Sequence, residues 1–200
     1  MRSPVRPLSV RKLAPDFYLR PASACATDFL GKVLVRQTRA GRVAGVIRDV
    51  EAYPAFTDAV HHGNKKTART SVMWEAGGLA YVYLIYGQWH QFAAVVNRAD
   101  VPDVIFIRGV TPVEGVQAMA AEWDQPRSAD HLANAPGKLC RSFQITKDLY
   151  GADLTGSELF LEDWGISVDP AQVRAAERVG ISSRRNGHDR PLRYYLDSAG

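Results

Sequence analysis

Two pairs of strand-length segments, each broken at a glycine, constrain this chain more than any other feature. Lys32 to Arg39 and Arg42 to Ala52 flank Gly41, while Leu79 to Tyr86 and Trp89 to Asn97 flank Gly87-Gln88. Segments rich in Val, Ile, Tyr and Phe with alternating polarity read as strands, and a short glycine-bearing junction between two of them reads as a hairpin. Val104 to Val110 supplies a further strand, and shorter ones are predicted at Leu159 to Glu162 and Val179 to Ser182. Helical signals frame this β-rich middle. Ala22 to Leu30 reads as a short helix with Ser23 near its start and Gly31 at its end. Thr67 can cap another to about Glu75. Val113 to Trp123 has helical spacing, and Gly137 to Ile145 follows Pro136. No internal repeat or low-complexity segment interrupts the pattern.

A chain of 200 residues suffices for one core, and no linker divides it. No run approaches the roughly 18 apolar residues that a membrane span needs, so no membrane is expected among the partners. The 25 Lys and Arg against 21 Asp and Glu leave a net charge of +4, which permits a polyanionic partner without requiring one. Cys25 and Cys140 are the only cysteines, too few for a disulfide framework or a thiolate zinc site, and nothing resembles a secretory leader. An intracellular setting is expected, cytoplasmic and nucleoid-associated in a bacterium. Residues 1–13 carry Arg2, Arg6, Arg11 and Lys12 with two prolines, and read as a flexible basic arm before a single domain over 14–200.

Alternation along the strands sorts the chemistry. Val46, Val50 and Ala52 are predicted on one face of their strand, with Ile47 and Glu51 on the other. Tyr81, Tyr83 and Ile85 share one face of theirs, and Val82, Leu84 and Tyr86 the other. Between the two hairpins, Pro54 to Asn64 loses apolar periodicity and carries Asp58, His61 and His62, the signature of a long functional loop. A carboxylate at a strand end amid several aromatic rings could activate water beside a flat ring, which is what hydrolysis of a nucleobase from its sugar requires. Each element has a plainer reading: a lone glutamate is more often in a surface salt bridge, and alternating tyrosines more often fill a core. His61, His62, Asp58 and His90 match no defined zinc spacing, so no metal is expected. Gly137-Lys138 lacks the upstream glycine of a phosphate-cradling loop. Arg184, Arg185, Arg190 and Arg193 form a late basic cluster.

The ordered series then carries a resemblance. Glu51-Ala52-Tyr53, Asp58 with His62, Thr67 with Arg69, Met73, Tyr81-Val82-Tyr83-Leu84-Ile85-Tyr86-Gly87, Ile107-Arg108, Pro136-Gly137-Lys138-Leu139-Cys140, Arg178-Val179-Gly180 and Pro191-Leu192-Arg193-Tyr194 resemble the alkyladenine, or 3-methyladenine, DNA glycosylase family. No single tripeptide is specific; the spacing from about Ala22 to Tyr195 is. The resemblance implies an α+β fold, a single mixed domain with a central curved antiparallel β-sheet, a protruding β-hairpin and surrounding helices. It implies a monomer that flips alkylated purines (3-methyladenine and 7-methylguanine) from double-stranded DNA and hydrolyses the N-glycosidic bond, leaving an abasic site, with the neutral purine hypoxanthine as an optional, harder substrate. It implies no cofactor.

Carried over by position, Glu51 is similar to the residue that activates water, and Arg108 to a helper that orients the water or a phosphate. Tyr53, His62 and Tyr83 resemble the pocket that sandwiches the base, Ala93 lies within it, and Tyr86 resembles the wedge that enters the duplex. Arg69, Lys138 and Arg193 are candidate DNA-backbone contacts. Ala93 stands where the family usually has Asn, whose amide crowds the 2-amino group of guanine, so broader purine acceptance is expected. Thr70 and Trp74 replace the more usual Asn and Phe. Two other readings stay open: a damaged-DNA-binding module of the same fold without efficient chemistry, and a hydrolase of free nucleosides.

Overall fold

The computed structural model describes residues 7, 9–58, 60–181 and 190–197. Nine strands form its frame: β1 (Arg11–Lys12), β2 (Val33–Thr38), β3 (Gly41–Tyr53), β4 (Ala80–Ile85), β5 (Trp89–Val96), β6 (Asp103–Glu114), β7 (Leu159–Asp163), β8 (Val173–Ala176) and β9 (Arg193–Leu196). They make one open antiparallel sheet in the order β1-β7-β2-β3-β6-β5-β4. β9 joins β3 alongside Asp49–Glu51 and carries β8 on its other side. Five short helices accompany the sheet: α1 (Pro15–Tyr18), α2 (Ala22–Cys25), α3 (Val116–Ala121), α4 (Ala129–Leu132) and α5 (Pro136–Ser142). The fold is therefore α+β, and both predicted hairpins form: the second turns through Gly87 as read, while the first turns at Arg39 and Ala40, with Gly41 already the first residue of β3.

Burial follows the pleat. Phe92 and Ala94 of β5, with Ile105 and Ile107 of β6, enter the main core with Tyr18, Phe29, Leu139 and Phe143. Their neighbours Ala93, Val95, Val104 and Phe106 face the other side and gather with Met73 and Tyr81 in a smaller cluster. Alternation along β4 holds as read: Tyr81 and Tyr83 belong to this second face and Val82 to the main core.

Along β3 the simple alternation fails, and the reason matters for the site. Ile47 pairs with Val110, Asp49 with Gly109 and Val50 with Ile107, so Arg48 is an extra residue on β3 and Arg108 an extra residue on β6. Two successive bulges restore the register while changing which face each side chain meets. Ile47 thus joins Val50 and Ala52 in the main core, and Val46 turns to the opposite side with Val33 and Val35. The expected grouping of Val46 with Val50 is corrected accordingly, while Glu51 does oppose Val50 and Ala52.

Other expectations shift at element ends. β6 runs to Glu114, so the helical spacing that begins at Val113 becomes helix only at Val116. Gly115, at φ 70°, makes the break where a Cβ would sit 2.4 Å from the Arg42 carbonyl oxygen. Ala22 to Leu30 divides into α2 and a 3-10 turn over Ala26–Phe29, with Pro21 rather than Ser23 at the N-cap. The segment from Thr67 to Glu75 is helical only as a 3-10 turn at Ser71–Trp74, because the Thr67 hydroxyl bonds Thr70 Oγ1 at 3.0 Å instead of capping. No strand forms at Val179, where the chain turns, and Ser182 lies outside the described residues. The strands of this region are β8 and β9.

Part of the stretch read as a basic arm lies on the sheet. Arg11 and Lys12 pair with Asp163 and Glu162, and Leu13 is buried with its N–H on the Leu161 carbonyl at 3.0 Å. Residues 1–6 and 8 lie outside the described residues. No described helix is long and apolar enough to cross a membrane.

Candidate active site

Glu51 is the only acid of β3 that is wholly removed from solvent, at 0% exposure. Its Oε1 accepts from Arg108 Nη1 at 2.9 Å and from the Val179 backbone N–H at 2.8 Å, and its Oε2 accepts from the Tyr53 hydroxyl at 2.9 Å. Burial without such donors would be prohibitive for a carboxylate. Desolvation still dominates and raises its pKa above the ordinary carboxylate range. Arg108, the Val179 amide and Tyr53 pull the other way, and Asp49 adds a further upward push. The Arg108 side chain reaches Glu51 because it occupies the bulge on β6, and its Nε also lies 3.5 Å from Asp49 Oδ2.

A cleft of about 520 Å³ opens over this carboxylate, within the usual size for a small-molecule site. Its walls include Tyr53, His61, His62, Tyr81, Tyr83, Gln91, Phe106, Arg108 and the segment Val179–Ile181, with Met73 and Ala93 also lining it. The structure therefore brings Glu51, Arg108, Tyr53, His62, Tyr83 and Ala93 together, as read from the sequence. The rings do not form two parallel walls: His62 meets Tyr83 edge to face, at 5.2 Å and 81°. Tyr83 instead stacks on Tyr81 at 4.9 Å and 24°, and its hydroxyl donates to Gln91 Oε1 at 2.7 Å. Burial pushes the phenols of Tyr53 and Tyr83 up, so both remain neutral donors. Partial desolvation first, and the Arg69 cation second, hold His62 below its usual value, which leaves the imidazole uncharged near neutral pH.

At the rim stands Tyr86, 89% exposed at the tip of the β4–β5 hairpin. Tyr86 and Gly87 have φ of 50° and 69°, and Gln88 N–H closes on the Ile85 carbonyl at 3.1 Å, the geometry of a type I′ turn. Tyrosine is costly in the left-handed region, and such strain tends to persist where function holds it.

The three candidate backbone contacts sit in different settings. The Arg193 guanidinium is engaged by Asp49 in two hydrogen bonds of 3.0 and 2.7 Å, which brace β9 against β3. Arg69 lies over the Tyr83 ring at 5.2 Å, and Lys138 donates to Asn134 Oδ1 at 3.0 Å on the surface. Arg184 and Arg185 lie outside the described residues. Asp58 is held by Arg178, and His61 Nδ1 accepts from Gly63 N–H at 2.9 Å. Among the described residues no three His, Cys, Asp or Glu side chains group as a metal shell would.

A buried glutamate with an arginine partner thus lies inside an aromatic cleft on an open antiparallel sheet. The family model for methylpurine-DNA glycosylase matches residues 16–199. The chain belongs to the methylpurine-DNA glycosylase family. It is similar, at 41% identity over 185 residues, to a protein of Methanocella arvoryzae named as a candidate 3-methyladenine DNA glycosylase, covering 92% of this chain and 91% of that one. Proteins of the same name from Desulfitobacterium hafniense, at 34% identity, and Alkaliphilus oremlandii, at 35%, are covered to 97% and 95% of their lengths, against 95% and 92% of this chain. This methylpurine-DNA glycosylase family member is a hydrolytic enzyme of DNA repair that acts on DNA.

Some of the cleft's lining escaped side-chain reasoning. The Val179 N–H is main chain, and nothing in residue types marks it. Phe106 and Gln91 were reachable in principle: Phe106 pairs with Ala93 and Gln91 with Tyr83, so both share the tyrosine face across the ladder.

Proposed function

We propose that this glycosylase everts an alkylated purine from duplex DNA into the cleft, where water directed by Glu51 attacks the anomeric carbon and releases the base. The observation that supports this reading is a fully buried glutamate, kept by three donors at the back of an aromatic cleft. An N-alkylated purine carries positive charge and leaves without much acid assistance, while the sugar passes through an oxocarbenium-like state. Glu51 acts as base toward water and as a counter-charge to the developing cation. Arg108 holds the carboxylate in place. The purine packs against Tyr53, His62 and Tyr83, with His62 turning its ring from the edge-on orientation. Stacking of this kind is worth roughly 1–3 kcal/mol per base.

A neutral imidazole and neutral phenols do not repel a cationic base, which favours 3-methyladenine and 7-methylguanine over hypoxanthine. Tyr86 fills the gap left in the stack and offsets an unstacking cost of a few kcal/mol. DNA as substrate supports an intracellular place of action.

Incubation with dimethyl sulfate-treated duplex DNA, followed by chromatographic identification of released bases, tests reaction class and preference together. Wild type should free 3-methyladenine and 7-methylguanine. Glu51→Gln should bind the same duplex with similar affinity and release base 10²-fold to 10⁴-fold more slowly, the range expected for loss of a general base. Glutamine can keep all three bonds, since Oε1 still accepts from Arg108 and Val179 and the new amide can donate to Tyr53. Release by Glu51→Gln at the wild-type rate would refute the base role. Cleavage of free nucleosides without duplex would refute the DNA reading.

A further inference from the structure

We infer that the buried Asp58–Arg178 ion pair is a positioning latch for Glu51: it fastens residues 177–181 over the cleft so that the Val179 N–H stays on the carboxylate. This rests on the proposed role of Glu51 as base. β8 ends at Ala176, and Val179 and Gly180 form a turn, so no ladder holds this stretch in place. Val179 as a residue is 52% exposed, so its own burial does not anchor it either.

Arg178 does. Its guanidinium bonds both oxygens of Asp58, through Nη1 to Oδ2 and through Nη2 to Oδ1 at 3.1 Å. Nη1 also donates to the Ala52 carbonyl at 3.3 Å, and the cation lies 4.4 Å from the centre of the Tyr53 ring. One side chain therefore grips the two residues that follow Glu51 and the loop that carries His62. The very next residue supplies the amide on Glu51 Oε1. Both members of the pair are only 7% exposed. Such buried pairs often contribute little net stability compared with apolar packing, so stability alone is a weak reason to build one here.

The groups that face Glu51 are Asp49 and Tyr53 on its own strand, Arg108 on β6, Val179 and Arg178 on the C-terminal segment, Arg193 on β9 and Tyr83 on β4. Among them the latch makes a prediction of definite sign. Removing the Asp58 charge would, by Coulomb's law alone, leave Arg178 less compensated and make Glu51 easier to ionise. Releasing the latch does the reverse, because the carboxylate loses an N–H donor to its charged form.

The test is the pH profile of single-turnover base release from dimethyl sulfate-treated duplex by Asp58→Asn. The acid limb should move to higher pH by about one unit, the size of one charge-assisted hydrogen bond. Below the limb, release should fall about tenfold, with the plateau changed only a few-fold. Arg178→Lys keeps the charge and loses the fork; it should shift the limb in the same direction, and serves if Asp58→Asn does not fold. A ¹³C titration of the Glu51 carboxyl in either variant reads the same shift without catalysis. A limb that stays put or moves toward acid in a folded variant overturns the latch. If instead Glu51→Gln releases base normally, the base role itself fails, a separate outcome.

Discussion

At the scale of the residue, the decisive fact is the conflict within Glu51 between desolvation and donors. Desolvation wins, so the folded enzyme favours the protonated acid relative to the unfolded chain. The sign follows from linkage: stability from this group is fully present below its unfolded value of about 4.3 and is lost as pH rises through the raised folded value. Wherever the carboxylate is ionised it therefore strains the fold, a cost that the proposed role as base would explain. Glu51→Gln should raise Tm near pH 7 and lose that advantage in acid, as calorimetry at the two pH values would reveal. Wild-type base release should fall on the acid side at a pH above the ordinary carboxylate range. Ala93 makes a second residue-scale case. It is 1% exposed on the cleft face of β5, between Tyr81 and Phe106 in the ladders. If the proposed base pose places a 2-amino group against it, Ala93→Asn crowds that group, so the release of 7-methylguanine relative to 3-methyladenine should drop; an unchanged ratio of the two bases would discard that role.

Among the elements, the β4–β5 hairpin shows function set against stability. A type I′ turn prefers Asn-Gly, and here Tyr86 takes the first of the two left-handed positions. Tyr86→Asn should stabilise the protein by about 1 kcal/mol, from relief of left-handed strain, and weaken binding to lesion duplex. Thermal melts and fluorescence-anisotropy titrations on one preparation would measure both. Equal affinity of the two proteins would remove the wedge. The paired bulges of β3 and β6 are the other element-level device. Arg48 and Arg108 each add one residue to their strand, and that is how an arginine on β6 comes to face an acid on β3.

For the molecule as a whole, the sheet is closed off at one edge by the N-terminal segment. β1 covers β7, Lys12 lies 4.4 Å over the Phe160 ring, and Leu13 enters the core. Deleting residues 1–13 should therefore cost about 2 kcal/mol, chiefly the burial of Leu13, and lower Tm by roughly 5 °C. An unchanged melting temperature would return those residues to the status of an arm.

The sequence by itself determined the two hairpins, the opposition of Tyr83 to Val82 and the turn at Gly87, because period-2 alternation and glycine punctuation are local properties. It also carried Glu51, Tyr53, His62, Tyr83 and Arg108 as candidates, through spacing that resembles a known family. Tertiary structure alone decided which groups surround the acid. Bulges cancel between strands far apart in the chain, so the face met by Ile47 and the reach of Arg108 were not legible from alternation. The Val179 amide carries no side-chain signal, and Arg193, which reads as a free cation, finds Asp49 only when β9 pairs with β3. Charge partners are chosen by proximity in the folded sheet, and neighbours along the chain do not reveal them.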